Sequence, residues 1–284
     1  MKQILATISS NVEVMPGIHL MWIEAPDIAA AAQPGQFITV RCGDFTLRRP
    51  FSVHQSSLLT REDSGEGEIA ILFKVTGKGT LWLSQRQEGE KIDMLGPLGK
   101  GFTVAPKSRN LLLVAGGIGI APLAFLVQQA SSQHQMTLIH GASTAAQLYP
   151  KSYELTAISY QRFQFVPVTQ DGSIGQKGMA TDVLPDFLDW ADQIYACGPV
   201  DMYKAMALSL DPSPLKGEGK GEGEKRSKLK LRKCQVSLEV RIGCGFGACY
   251  GCTINTRKGL KQVCRDGPVF ELDDIIWQEV RIWP

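Results

Sequence analysis

Four cysteines, Cys244, Cys249, Cys252 and Cys264, are spaced C-x4-C-x2-C-x11-C, the first three inside GCGFGACYGC. A 2Fe–2S cluster needs four thiolates on two tetrahedral irons, and C-x4-C-x2-C…C is a known spacing that supplies them. Gly243, Gly245, Gly247 and Gly251 interleave the cysteines. They let the backbone take positive φ and wrap the loop with N–H groups turned toward sulfur. Such a cluster moves single electrons, so the spacing points to a redox protein. Structural zinc also takes four cysteines, usually as two separated C-x2-4-C knuckles, and this segment has a single C-x2-C. Disulfides are disfavoured by the odd total of seven cysteines and by the lack of a secretory signal. Cys42, Cys197 and Cys234 lie outside the cluster spacing.

Two further motifs carry nucleotide chemistry. In LRRPFSV, Arg49, Phe51 and Ser52 follow an Arg-x-aromatic-hydroxyl pattern. An arginine pairs with a pyrophosphate, a serine hydrogen-bonds an isoalloxazine edge, and a ring packs against it. Alone, Arg-Pro-Phe-Ser is equally an ordinary strand start. Downstream, LFKVTGKGTLWL offers Gly77 and Gly79 as room for phosphate, Thr80 as a hydroxyl and TLWLSQ as a helix opening. The second motif is VAGGIGIAPL, where Gly116, Gly117 and Gly119 join an apolar run to a helix pattern. Glycine turns of this kind bring backbone N–H groups against a pyrophosphate. The sequence is not G-x-G-x-x-G, and by itself it is also a tight turn of any α/β fold. Cys197, Gly198 and Pro199 end a later strand run. That places Cys197 near a nicotinamide, as a small packed residue rather than a nucleophile. The four histidines form no metal-ligand spacing, and no G-x-S-x-G elbow is present.

The elements that must position these residues are legible as two grammars. Residues 1–105 carry short runs, GIHLMWIEA, GQFITVRC, FSVHQ, EIAILFKV and EKIDMLG, separated by turn formers. This spacing predicts an antiparallel β-barrel. Residues 106–210 alternate apolar strand runs (LLLVAGG, MTLIHGAS, QFVPVTQD, QIYACGP) with helix patterns (IAPLAFLVQQA, ATDVLPDFLDW, VDMYKAMALSL). That alternation predicts a parallel α/β sheet. Residues 211–233, with a KGEG repeat and no apolar periodicity, read as a flexible basic insert or, more sharply, a basic docking arm. Residues 234–284 read as a cluster module: a strand CQVSLEV, the cysteine loop, a hairpin TINTRKGLKQV and a short acidic helix ELDDIIWQEV.

Bulk properties agree with a redox enzyme of about two domains and a small third. The chain has 284 residues, of which 44% are hydrophobic. No uninterrupted apolar run reaches membrane-spanning length, and the N-terminus lacks a signal-peptide core. A cytoplasmic location is expected, where thiolates stay reduced. The formal charge is +2, but Pro212–Lys233 holds eight Lys/Arg and three Glu, so the rest is slightly acidic. The body therefore gives no case for nucleic-acid binding.

RPFS, GGIGIAPL and CGPVDM resemble, in order and spacing, the motifs of the ferredoxin–NADP reductase superfamily. The segment SLEVRIGCGFGACYGCTINT…VCRDGPVF is narrower. It resembles the electron-transfer subunits of type 1B dihydroorotate dehydrogenases, and the resemblance covers nearly the whole chain except the insert. It implies an N-terminal FAD barrel, a parallel α/β domain for NAD(H) and a small C-terminal 2Fe–2S module. It also implies that Arg49, Pro50, Phe51, Ser52, Leu72, Phe73, Lys74, Gly79 and Thr80 bind FAD, and that the four cysteines hold the cluster. The implied partner is an FMN-containing catalytic subunit that oxidises dihydroorotate to orotate in pyrimidine synthesis, in a heterotetramer of two copies each. Two departures stand out: the KGEG insert replaces a short connection, and Phe51 stands where many superfamily members have tyrosine. Two other readings remain. One is a flavin/iron–sulfur subunit of an NAD(P)H-dependent ferredoxin or sulfide oxidoreductase, where an aspartate is expected among the cluster ligands. The other is a zinc-stabilised nucleotide-binding scaffold.

Overall fold

Period-two alternation closes the first hundred residues into a barrel in the computed structural model, which describes residues 1–59, 67–150, 162–210 and 233–280. The strands are β1 (Lys2–Met15), β2 (Ile18–Glu24), β3 (Phe37–Val40), β4 (Arg49–Ser56), β5 (Glu68–Lys74) and β6 (Lys91–Leu98). They run β1-β2-β5-β4-β3-β6, and every pairing is antiparallel. Successive side chains point to opposite faces of a strand. Ile38, Val40, Phe51, Val53, Ile71 and Phe73 therefore fill the barrel, while Phe37, Leu72 and Leu98 pack outside it against the second half of the chain. Two short helices, α1 (Pro26–Ala31) and α2 (Lys78–Ser84), cover the barrel. β1 lies outside the strand runs expected from the sequence. It has 14 residues, and irregular register at Ile8/Ser10 and Glu13/Met15 lets it bend between β6 and β2.

The second half is built on β7 (Asn110–Gly116), α3 (Ile120–Ala130), β8 (Gln135–Ala142), β9 (Phe163–Thr169), β10 (Gln176–Lys177), α4 (Pro185–Leu188), β11 (Gln193–Cys197) and α5 (Val200–Leu210). The sheet order is β10-β9-β8-β7-β11-β12-β15, parallel up to β12 (Lys233–Ser237) and antiparallel at β15 (Val269–Glu271). Leu111 to Ala115 on β7 are all buried, as an interior parallel strand requires. The cluster segment adds a hairpin of β13 (Thr253–Thr256) and β14 (Gly259–Gln262), then a single turn, α6 (Val263–Asp266).

Three expectations need correcting. β12, read as opening a separate module, is a strand of the α/β sheet, because Cys234 and Val236 share one core with Ile194 and Ala196. ELDDIIWQEV forms only a 3-10 turn at Leu272–Asp274 among the described residues. Its buried residues Leu272, Ile275 and Trp277 pack irregularly, with Trp277 stacked 5.0 Å from Tyr203. ATDVLPDFLDW contracts to the four residues of α4. Of the insert expected at residues 211–233, residues 211–232 lie outside the described residues, and Lys233 opens β12. Among those described, no helix is long and apolar enough to cross a membrane.

Candidate functional site

The cysteine loop is seated on the outer face of the barrel. A Cβ on Gly245, whose φ is +87°, would lie 3.1 Å from both Leu98 Cδ1 and Thr39 Cγ2. Cys252 and Cys264 share a core with Phe37 and Leu98, so β3 and β6 form the seat. Within the loop, backbone donors turn inward to sulfur. The N–H groups of Ala248, Gly251 and Cys264 donate to the Sγ of Cys244, Cys249 and Cys252 at 3.3, 3.4 and 3.4 Å. Cys249 acts most directly on Cys244, and Cys252 on Cys264, so the thiols neighbour one another two by two. No three His, Cys, Asp or Glu side chains converge on one ion's position among the described residues. Four thiolates shared between two metals is the arrangement a two-iron cluster takes.

Position also separates the thiols electrostatically. Burial pushes the Cys244 thiol up, but hydrogen bonds from Phe246, Cys249 and Ala248 outweigh it and bring the group down to about 6. Burial, then the neighbouring Cys252, pushes Cys264 up to about 12. Cys249 is exposed and Cys252 is buried. Around Cys249 the surface is aromatic: Phe246 and Tyr250 are exposed, and Tyr250 has φ 57°.

Arg48 and Arg49 are equivalent in sequence and different in space. Arg48 is spent on structure: its guanidinium donates to Asp93 Oδ2 at 2.6 Å and to Asp93 O at 3.0 Å. Arg49 instead donates to Leu47 O, lies over the Phe45 ring at 5.6 Å and abuts the first turn of α2, where a Cβ on Gly79 would sit 2.9 Å from Arg49 Nε. The two halves of the flavin-type motif thus meet. β4 pairs with β5 from Ser56/Ile69 to Val53/Ile71, and no further pairing joins Arg49–Ser52 to Leu72–Lys74. The β4–β5 ladder ends there.

Side-chain roles along these two strands differ from expectation. Phe51 turns into the barrel core, 5.5 Å from Phe73, instead of offering its ring outward. Strand alternation then gives Ser52 the face toward the α/β sheet. Leu72 and Phe73 are buried in cores, so what they can offer a ligand is backbone. The Thr80 hydroxyl is committed to its own turn: it accepts from the N–H of Thr76 and Gly77 and donates to Gly77 O.

At the carboxyl edge of the parallel sheet the two remaining motifs touch. Cys197 on β11 is in register with Ala115 on β7. A Cβ on Gly119 would overlap the Cys197 carbonyl, and one on Gly116 would lie 2.7 Å from Pro199 Cδ. A Cβ on Gly198 would lie 3.1 Å from Gly116 Cα. Gly116, Gly119 and Gly198 are therefore needed for mutual approach, while Gly117, with φ +53° and open space beside it, faces outward. Cys197 is buried, and burial first, then the Glu239 carboxylate, pushes its thiol up to about 12. It is protonated packing and no nucleophile. Glu239, two residues past β12, acts on Cys197, and the sequence signalled it only as the acid before the last residue of the run CQVSLEV.

A buried chain of hydrogen bonds joins this edge to the barrel. His140 Nε2 lies 3.0 Å from Gly117 O, and its Nδ1 accepts from Tyr149 N–H at 3.4 Å. Tyr149 Oη lies 2.9 Å from His54 Nε2, and His54 Nδ1 lies 3.0 Å from Ala121 O. Carbonyls only accept, so His54 carries a proton on Nδ1 and His140 on Nε2, and the Nδ1 of His140, which accepts from Tyr149, is bare. Burial lowers each histidine to about 4, against hydrogen bonds to Ala121 and Gly117 that act the other way. A depressed histidine binds its proton more readily when unfolded. Its contribution is thus complete above the unfolded value of about 6.5 and is lost as pH falls toward the folded one. Urea unfolding is expected to show stability declining between pH 6.5 and 4, by ~3 kcal/mol per histidine. His54→Gln should flatten that decline.

The barrel, the parallel sheet with its glycine edge and the attached cysteine loop define a flavin- and pyridine-nucleotide-dependent oxidoreductase of the ferredoxin–NADP reductase type. Residues 239–276 match the family described as the iron–sulfur cluster binding domain of dihydroorotate dehydrogenase B, and residues 113–207 match the oxidoreductase NAD-binding domain. The chain is 37% identical to the dihydroorotate dehydrogenase B (NAD(+)) electron transfer subunit of Desulforamulus reducens, over 93% of this chain and 95% of that one. It is 32% identical to the subunit of the same name from Fusobacterium nucleatum, over 95% and 96%. The chain belongs to this family of electron transfer subunits. Among solved structures, an NADH-dependent reduced ferredoxin-NADP oxidoreductase superposes with TM-score 0.78 and 26% identity, over 97% of this chain and 91% of that one. A ferredoxin NADP+ reductase from Neisseria gonorrhoeae with bound FAD and NADP shares the fold, with TM-score 0.60 and 21% identity over 74% and 91%.

Proposed function

We propose that this chain relays electrons between NAD and an FMN-containing subunit that oxidises dihydroorotate to orotate, in cytoplasmic pyrimidine synthesis. The observation that carries this reading is the paired cysteine loop seated on β3, the strand that pairs with the flavin-type strand β4. Residues 1–105 would hold FAD, 106–210 NAD(H) and 234–284 the cluster. Arg49 would pair with the FAD pyrophosphate, Ser52 and the backbone of Leu72–Lys74 would line the isoalloxazine slot, and Gly79 would leave room beside Arg49. Pro50, Phe51 and Thr80 would shape that slot from behind. Gly116, Gly117 and Gly119 would receive the NAD pyrophosphate against Cys197–Pro199. Cys244 and Cys249 would hold one iron, Cys252 and Cys264 the other. Bound FAD supplies the conversion between a two-electron hydride and the single electrons that a cluster carries. The exposed Phe246 and Tyr250 beside Cys249 suit docking of the FMN subunit, in a heterotetramer of two copies each.

The likeness to the ferredoxin-NADP oxidoreductase supports a second reading, a flavin/iron–sulfur subunit with ferredoxin as partner. Four cysteines, with no aspartate in the spacing, favour the first. An anaerobic visible spectrum before and after NADH, with iron and acid-labile sulfide assayed on the same sample, tests the relay. Flavin and cluster bands that NADH bleaches are expected; a colourless, zinc-containing protein would sink both redox readings. Co-purification with an FMN subunit separates the two. Arg49→Ala is expected to weaken FAD retention about tenfold or more, as loss of a charged hydrogen bond does. Arg48→Ala should retain the flavin, since Arg48 serves Asp93. Flavin released on gel filtration measures both.

A further inference from the structure

Four buried side-chain polar atoms lack a hydrogen-bond partner among the described residues, and one of them faces the cysteine loop. Ser9, Asn11 and His19 carry three, on β1 and β2; the fourth is Thr39 Oγ1 on β3. Thr39 is 1% exposed. Its neighbours Ile38 and Val40 point into the barrel, so alternation turns Thr39 outward onto the cluster seat, beside Phe37 and Leu98. The contact there is Gly245, the residue after Cys244: a Cβ on Gly245 would lie 3.1 Å from Thr39 Cγ2 and 3.9 Å from Oγ1. On the other side, Thr39 is in register with Pro50, inside the flavin-type motif.

Valine would fill this space with the same shape and no buried hydroxyl. A hydroxyl without a partner is unfavourable in an interior, so its presence asks for an acceptor that the polypeptide does not supply. The loop's own N–H groups already point at its sulfurs, and a hydroxyl supplies one donor. Sulfur is the acceptor chemistry that this loop is built to gather.

We propose that Thr39 donates its hydroxyl hydrogen to the sulfur of the bound cluster or of its Cys244 ligand, and so tunes the potential of the cluster on the side facing the flavin strand. This inference rests on the cluster assignment above. A hydrogen bond to cluster sulfur favours the reduced state, which carries the extra negative charge, and raises the potential. Thr39 is thereby a positioning and tuning residue, not a ligand.

The test compares the complete chain, cluster and FAD reconstituted anaerobically, with Thr39→Val and Thr39→Ser, in a redox titration followed by electron paramagnetic resonance. At a fixed potential the reduced:oxidised ratio of Thr39→Val is expected to fall about threefold to tenfold, the effect of one neutral hydrogen bond. Thr39→Ser, which keeps the hydroxyl, should stay within about twofold of native. The metal-free chain supplies a second readout. There the hydroxyl has no partner, so metal-free Thr39→Val is expected to melt above metal-free native protein. Should Thr39→Val fail to fold, Thr39→Ala provides the same redox comparison. An unchanged midpoint and line shape in the hydroxyl-free variants overturns the proposal. So does an equal shift in Thr39→Ser, which would assign the effect to methyl packing. Native protein that holds no iron or labile sulfide overturns the cluster assignment itself, a result distinct from a cluster whose potential ignores Thr39.

Discussion

Cys249→Ser is expected to abolish the visible absorption of the cluster while FAD stays bound. Cys249 is the exposed thiol of the four, so the substitution removes a ligand without opening a core. Serine keeps the shape but offers a poorly ionised hydroxyl where iron needs thiolate, and the partner Cys244 loses the second donor of its pair. Electron delivery to the partner subunit should drop by on the order of 100-fold, the upper end of what even losing a supporting contact to a metal site costs. NADH-driven reduction of a small acceptor that takes electrons from flavin directly should persist. Cys252→Ser is the informative contrast: Cys252 is buried in the core shared by the barrel and the sheet. That variant should lose the cluster and also melt at a lower temperature in its metal-free form. If Cys249→Ser keeps full cluster absorbance and labile sulfide, the four-cysteine assignment is wrong.

Gly119→Ala is expected to be the most damaging single methyl in the nucleotide domain. The added Cβ would overlap the Cys197 carbonyl and crowd the Gly198 nitrogen, and both are backbone, so neither can turn aside as a side chain does. The glycine turn or the end of β11 must move, at a cost near the upper end of the 1–3 kcal/mol typical of overpacking. The same movement displaces the surface that would receive the NAD pyrophosphate. NADH-dependent flavin reduction should therefore fall more than stability alone explains, while reduction of the flavin by dithionite continues. Gly117→Ala is the control. Its φ of +53° makes a side chain strained, but the space beside it is open. It should cost about 1 kcal/mol and leave the turn's packing in place. Thermal melts paired with stopped-flow flavin reduction distinguish the two, and equal behaviour of both variants would refute the packing argument.

Local patterns carried much of this protein. The C-x4-C-x2-C…C spacing confines its four donors to a stretch of 21 residues, so chain connectivity alone brings the thiols near one another. Period-two runs marked five of the six barrel strands. The bent β1 escaped because polar residues break its alternation. Continuous apolar runs marked β7 and β11 for the same reason in reverse: a strand covered on both faces needs no alternation.

What could not be read were choices between equivalent residues. Nothing in LRRP says that Arg48 is tied to Asp93 while Arg49 turns to Leu47 O and the Gly79 backbone, because Asp93 lies 45 positions away. Nor does it say that Phe51 faces inward, which strand register decides. His54, Tyr149 and His140 looked like unremarkable polar residues, and both histidines are indeed satisfied core residues. Their link from the flavin strand to the glycine turn spans 95 positions at its longest step. Thr39 had no motif at all; what marks it is a buried hydroxyl with no partner among the described residues.

The sequence by itself thus determined which chemistries are present, because ligand spacing and glycine turns act over a few residues of backbone. Only the tertiary structure decided how they are joined. The cysteine loop sits against β3, the strand paired with β4, the two glycine-rich turns press together, and β12 ties the cysteine segment to the sheet. Such contacts arise from packing and register between distant segments, where burial of apolar faces outweighs any local preference.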